Sequence, residues 1–188
     1  MTVTIHWADH NLAKFGKAID RLNREFPKVI PQEINKVGEK AKTQVIRALT
    51  KQTGLDRRVI VAAVGNPSKA RPGKLSYDMR TRGGNVRLKY LHPVETEEGV
   101  VAKPFGKTTP YPGAFLKGGA FPDRKTVARF DGHAFYRLNS SGSRITFARS
   151  GVVIPTEMTQ GATLAAFNKV AGPMLQQHVE KVIAKLLK

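Results

Sequence analysis

Apolar and polar residues alternate at the start of the chain, with Val3, Ile5 and Trp7 set against Thr2, Thr4 and His6, the period of a short half-buried strand. From Asn11 the interval lengthens. Leu12, Phe15, Ile19 and Leu22 recur at helical spacing, with Lys14, Lys17, Asp20 and Arg21 on the other side, and Phe26-Pro27 is expected to end this first helix. A second helix is predicted from Pro31, where a missing N–H does no harm in a first turn, to Gln52. On it Ile34, Val37, Ala41, Val45, Ala48 and Leu49 fall on one arc of about 120°, and Lys36, Lys40, Arg47 and Lys51 form a ridge on the far side. Gly54 stops this helix, and Asp56 caps a short third one to Val64.

Two prolines and two glycines in residues 65–73, GNPSKARPG, end the helical region. The period then becomes two. Leu75, Tyr77 and Met79 precede Gly83-Gly84, and Val86, Leu88 and Tyr90 follow it, which predicts an antiparallel hairpin. Residues 103–126 hold four prolines and four glycines with little periodicity, the composition of a long functional or disordered loop. Strand signals return in HAFYRL and RITFARSGVVI, separated by NSSGS. From Thr163 the spacing is helical again, with Gly172-Pro173 as a break or kink. Helices, then strands, then a helix predict an α+β fold: N-terminal helices and a C-terminal helix packed on a mostly antiparallel sheet. With 188 residues one domain is expected, made of a helical part (1–64), a β part (65–155) and a C-terminal helical part (156–188).

Charge changes this picture. Lys and Arg number 32 against 14 Asp and Glu, a net +18, and bases exceed acids in each of residues 1–64, 65–130 and 131–188. Such a field favours polyanions of every kind and makes their binding salt-sensitive, without naming one. The absence of cysteine excludes disulfides and thiol chemistry. No apolar run reaches the length of a signal peptide or of a membrane span, so a soluble chain outside the general export pathway, with no membrane partner, is expected.

The motifs that could carry chemistry fare poorly. Gly54 invites a helix-turn-helix, and Leu55 and Ile60 fit its buried positions. The preceding helix, however, is about twice the length such motifs use, and Thr53 takes a usually apolar place. Val61 and Ala62 stand where base-reading side chains should be, leaving Arg57 and Arg58 alone to face a groove. A helix pair packed on a sheet is the better reading. GKTT at residues 106–109 resembles the end of a phosphate-binding loop, but Val101 occupies the place of its first glycine and PYPG follows, not a helix. The histidines, His6, His10, His92, His133 and His178, lack metal-ligand spacing, and the serines of SSGS have turn composition with no base beside them in sequence. No catalytic, metal or cofactor residue is expected. The densest basic run, Lys69 to Lys89, places Arg80 and Arg82 on one strand face and Arg87 and Lys89 on the polar face of its partner. Such a face is either solvated or a contact for phosphates or an acidic partner.

In order along the chain, the basic amphipathic helix AKTQVIRALTKQTGL, the segment DGHAFYRL leading through ARSGVVIP, and the closing AGPMLQQHVEKVIAKLLK resemble the prophage minor tail protein Z family. The resemblance implies a structural phage protein of the virion tail, made in the host cytoplasm, that acts in tail completion at the head-proximal end without a reaction or cofactor. Its implied partners are tail-tube or tail-terminator proteins and further copies of itself in a ring. A sequence-nonspecific nucleic-acid-binding protein is the alternative. In either case Lys36, Lys40, Arg47, Lys51, Arg57, Arg58, Arg80, Arg82, Arg87 and Lys89 are the expected phosphate or acidic-partner contacts. Phe105, Tyr111, Phe115 and Phe121 are the expected subunit contacts, unless they only anchor their loop.

Overall fold

One helix, α1, runs unbroken from His10 to Thr53 through both Pro27 and Pro31. The computed structural model describes residues 10–187, with side chains from Lys17 onward, so the strand expected at residues 1–7 lies outside the described residues. The break expected at Phe26-Pro27 is absent. Each proline removes one i→i−4 bond, freeing the carbonyls of Asn23 and Pro27. Both residues are exposed, so water can satisfy those carbonyls, and the next turn buries Ile30 and Pro31. The apolar arc is as expected: Val37, Ala41, Val45 and Leu49 are buried, and Lys36, Lys40, Arg47 and Lys51 are exposed.

The described residues gather in two compact units. The first holds the residues of α1 up to Ala41, the segment Pro67–Asp78, and the chain from Lys169. Its segment 67–78 folds on itself, with Ser68 and Asp78 exchanging both backbone hydrogen bonds at 2.9 Å. Asn35 pins it to α1: its Oδ1 accepts from Ala70 N (2.8 Å) and its Nδ2 donates to Ala70 O (2.9 Å), imitating a strand partner. In the same unit His178 Nδ1 lies 2.5 Å from Glu33 Oε2, and Lys36 Nζ lies 2.6 Å from Glu33 Oε1.

The second unit holds Lys42–Asn66 and Met79–Asn168. Gly54, at φ +75°, reverses the chain after α1 and leads to α2 (Arg57–Val64). Thr53 is tolerated in a fully buried place because its hydroxyl donates to Leu49 O at 2.7 Å and accepts from Leu55 N at 3.3 Å. Asp56 precedes α2 but makes no side-chain cap; its carboxylate turns to His92, 3.1 Å away.

Among the described residues seven short strands form three antiparallel sheets: β1 (Asn85–Arg87) with β7 (Arg149–Val153), β2 (Val94–Glu95) with β3 (Gly99–Ala102) and β4 (Thr109–Pro112), and β5 (Phe135–Arg137) with β6 (Ile145–Phe147). The class is α+β. The hairpin expected around Gly83-Gly84 does not form. Leu88 and Leu91, three apart, are both buried on one side of a 3₁₀ turn at Leu88–Leu91, where a strand would have sent them to opposite faces. The strand signals either side of NSSGS are present and pair as β5 and β6, but RITFARSGVVI is divided, its second half forming β7 against β1.

Residues 103–126 are folded. Pro110 and Pro112 sit on β4, an edge strand that tolerates residues without an N–H. Beyond it Phe115 bridges to Phe135 and Gly118 to Lys125. Glu95 holds the segment by accepting from Leu116 N at 2.9 Å and pairing with Arg124. The core joins Ile46, Leu49, Leu55, Ile60 and Val64 to Leu88, Leu91, Val100, Val152 and Ile154. Each such aliphatic side chain contributes roughly 1.5–3 kcal/mol by leaving water. A smaller aromatic cluster packs Phe115, Phe130 and Phe135.

After α3 (Ile154–Met158) the second long helix, α4 (Gly161–Leu186), continues through Gly172 and Pro173, so the helix is not broken at the place where a break or kink is expected. Its first turn takes its acceptor from a distant residue. Gln52 Oε1 accepts from Thr163 N and from Thr163 Oγ1, both at 2.9 Å. Gln52 Nε2 donates to Glu157 Oε2 at 2.6 Å.

Candidate functional site

The strands β1 and β7 pair irregularly: Asn85 faces Val153 and Arg87 faces Arg149, so a step of two residues along β1 matches a step of four along β7. Sequence chemistry allows this bulge. Gly151 adopts φ +82°, and Asn85 Oδ1 accepts from Gly151 N at 2.9 Å. Ser150 Oγ donates to Val86 O at 2.6 Å. The consequence is that two exposed arginines, Arg87 and Arg149, stand directly opposite each other, an arrangement that destabilises a strand pair unless an anion compensates it.

Beside this pair lies a cavity of about 360 Å³ lined by Arg82, Gly83, Gly84, Asn85, Arg87, Tyr90 and His133, with Val59, Val86, Ile154 and Pro155 at its apolar side. The two glycines leave open space above the backbone, so nothing at 83 or 84 narrows the mouth. Arg87 stacks its guanidinium on the Phe147 ring, 3.7 Å from the centroid, which fixes the side chain while leaving its N–H edge available. His133 meets the same ring edge-on, with the centroids 5.1 Å apart. His133 Nδ1 is buried and has no hydrogen-bond partner. Burial holds the His133 imidazole below its ordinary value, with Lys89 and Arg87 adding to that and Asp131 opposing it. This environment favours the neutral ring, in which one of the two nitrogens is a hydrogen-bond acceptor.

The basic residues singled out in the sequence divide between the two units. Lys36 and Lys40 belong to the first, and Lys36 is taken up by Glu33. Arg47, Lys51, Arg57, Arg58, Arg80, Arg82, Arg87 and Lys89 belong to the second. Only Arg82 and Arg87 of these line the cavity. Lys89 stands close enough to His133 to act on it, but its ammonium pairs with Asp131 Oδ2 at 2.5 Å, which lowers the Asp131 pKa. The expectation that Arg80 and Arg82 share a strand face fails, because residues 79–84 form no strand. Arg58 Nε lies 3.8 Å from Asp56, and α2 exposes Val61 and Ala62 beside Arg57 and Arg58, a surface poor in groups that read bases.

The four aromatic residues of the long segment also divide. Phe115 is only 4 % exposed, in the aromatic cluster, and has no surface to offer a neighbour. Tyr111 packs on the main core with its hydroxyl 3.4 Å from Ser150 O, and burial raises its pKa. These two anchor the segment. Phe105 and Phe121 are exposed and remain free for contact.

Arg149, His133, Asn85 and Tyr90 were not singled out in the sequence as parts of this site. A pairing of residues 62 positions apart leaves no periodic trace, so nothing local could have set Arg149 against Arg87. Among the described residues no group of three or more His, Asp and Glu is placed to hold a metal ion. None of the described helices is long and apolar enough to cross a membrane. No protein-family model matches the chain, and neither a curated protein nor a solved structure matches it.

Proposed function

We propose that the chain is a non-catalytic structural protein of a phage or prophage tail, acting in tail completion at the head-proximal end. In this reading it sits in the virion tail, meets tail-tube or tail-terminator proteins, and does so as a ring of copies. The observation that carries the reading is that each resembling motif falls on a framework element, in order along the chain: AKTQVIRALTKQTGL ends α1, HAFYRL holds β5, ARSGVVIP runs along β7 into α3, and the closing segment supplies α4 from Ala171 onward. The exposed arginines supply what such a component needs, since a ring multiplies weak contacts with an acidic neighbour or with DNA. Phe105 and Phe121 are the apolar contacts left for neighbouring subunits.

The second reading, a sequence-nonspecific nucleic-acid-binding protein, is favoured by the Arg87 and Arg149 pair. Deleting the gene in its phage separates the two. Loss of infectious particles, with tails that fail to join heads and are rescued by the purified chain, supports the tail role. Normal particles together with tight duplex binding at moderate salt would overturn it in favour of the second reading.

A further inference from the structure

From the geometry of the second unit we infer that the cavity beside β1 and β7 is a binding site for one nucleotide of an unpaired nucleic-acid strand. Its phosphates would lie against Arg87 and Arg149, and its base would enter between Tyr90 and His133. This inference rests on that unit alone and not on the tail reading.

Three features choose the ligand class. The first is electrostatic. Arg87 and Arg82 line the cavity, no acidic residue is among those that line it, and Arg149, outside the lining, stands opposite Arg87 as a cross-strand pair of like charges. Among the described residues neither Arg87 nor Arg149 has an acidic side chain in an ion pair with it, whereas Lys89 nearby is neutralised by Asp131. The Arg87 guanidinium carbon lies 3.7 Å over the Phe147 ring centroid, which restrains the side chain, and a guanidinium suits bidentate contact with a phosphate.

The second feature is the interior. Tyr90 presents an exposed ring, and His133 offers a neutral imidazole whose buried Nδ1 still lacks a partner. A buried polar atom left unpaired costs free energy; Nδ1 is shielded in the unliganded chain, so a base donor pairs with it only when the His133 ring turns toward the cavity in its Nε2–H tautomer, and that pairing removes the cost. Exocyclic amino or ring N–H groups of bases are such donors; the side chains of an acidic peptide, Asp and Glu, are not when ionised. Positive charge combined with an aromatic face is the pairing that single-stranded binding uses.

The third feature is size. At about 360 Å³ the cavity accommodates one nucleotide and excludes a duplex, whose bases are inaccessible to a pocket of this width. The glycine pair at 83 and 84 lets a sugar-phosphate backbone approach the chain closely.

The test is fluorescence anisotropy of a labelled oligothymidylate and of a labelled oligoadenylate on the full chain, with duplex DNA of equal length and polyglutamate as competitors. Arg87→Gln with Arg149→Gln should weaken strand binding at least tenfold and reduce the slope of log affinity against log salt by roughly 1.4, about 0.7 for each phosphate no longer neutralised. Arg57→Gln with Arg58→Gln, on α2, should leave both nearly unchanged. Ultraviolet cross-linking of the thymidylate strand followed by peptide mapping should find Tyr90 or its neighbours. Should the double arginine variant fail to fold by circular dichroism, Tyr90→Ala, at an exposed ring, decides by the same titration. Equal competition by duplex or polyglutamate would overturn the inference in favour of general polyanion binding. So would cross-links confined to α1 or α2, or an affinity indifferent to both the arginine pair and Tyr90.

Discussion

The ring of Tyr77 lies against Gly38, in the space that a side chain at position 38 would fill. Glycine inside α1 is locally unfavourable, costing about 1 kcal/mol relative to alanine, so its presence is explained by this packing and not by the helix. Tyr77 cannot simply retreat, because its neighbour Asp78 is tied by two backbone hydrogen bonds to Ser68. Gly38→Ala is expected to destabilise the first unit by a net of roughly 1–2 kcal/mol, the overpacking cost exceeding the propensity gain. In a Tyr77→Ala background the same change should stabilise by about 1 kcal/mol. Urea unfolding of the two single variants and the double variant measures this reversal of sign, and the same sign in both backgrounds would refute the packing argument.

Gln52 serves four groups at once, accepting from the backbone and hydroxyl of Thr163 and donating to the side chain and the backbone carbonyl of the buried Glu157. Gln52→Ala removes the acceptor from the first turn of α4 and a donor from a buried carboxylate. The expected loss is about 2–4 kcal/mol, since buried groups left unpaired carry their full desolvation cost. Gln52→Glu should cost at least as much, because it sets a second carboxylate against Glu157. Chemical denaturation gives the numbers, and hydrogen exchange should show the amides near Thr163 opening first.

How much of this was legible in the chain follows from the range of each interaction. The buried arc of α1, the stop at Gly54, the burial of Leu55 and Ile60, and the strand signals either side of NSSGS were all readable, because each is decided by residues close together in the chain. The prolines misled: Pro27 and Pro31 carry a local cost, but exposed carbonyls and the burial of Ile30 offset it, and those are tertiary facts. The partner of β1 was misassigned for the opposite reason. Gly83-Gly84 is a good turn signal, yet Asn85–Arg87 finds β7, far along the chain, where Asn85 satisfies the bulge at Gly151. The candidate site inherits that error. Arg82 and Arg87 were noticed for their charge alone, and what distinguishes Arg87, the opposing Arg149, exists only after β1 and β7 have met.

Glu95 binds residues 114–127 to the β2 strand by two routes, a hydrogen bond from Leu116 N and an ion pair with Arg124, with the Glu95 side chain only 9 % exposed. Glu95→Ala removes both routes and leaves Arg124 largely buried without its partner, a loss expected near roughly 3 kcal/mol. Glu95→Gln keeps an acceptor for Leu116 and should cost less. Limited trypsin digestion offers a direct reading, since Lys117, Arg124 and Lys125 lie in the tethered segment. Cleavage there should rise in the order wild type, Glu95→Gln, Glu95→Ala; equal rates in all three would mean that the backbone bridges at Phe115 and Gly118 hold the segment unaided.

Glu33 supplies a pH dependence confined to the first unit. Its carboxyl is held below the ordinary glutamate value of 4.5, first by the hydrogen bond from Lys36 and next by that from His178, against a smaller opposing effect of burial. A carboxylate whose pKa is lower folded than unfolded stabilises the fold above its unfolded value, and that contribution disappears as pH falls through the folded value. The first unit should therefore lose stability on acidification below the ordinary glutamate range, whereas raising the pH from there to neutrality should not alter this contribution. Glu33→Gln should remove the acid-dependent part while lowering stability at neutral pH. Hydrogen exchange at several pH values checks the location: amides around residues 30–38 and 174–182 should lose protection in acid in the wild type, and in Glu33→Gln their protection should be lower at neutral pH and less sensitive to acid. Protection in α2 and β3 should not follow Glu33, because the titrating contact and both of its partners lie within the first unit.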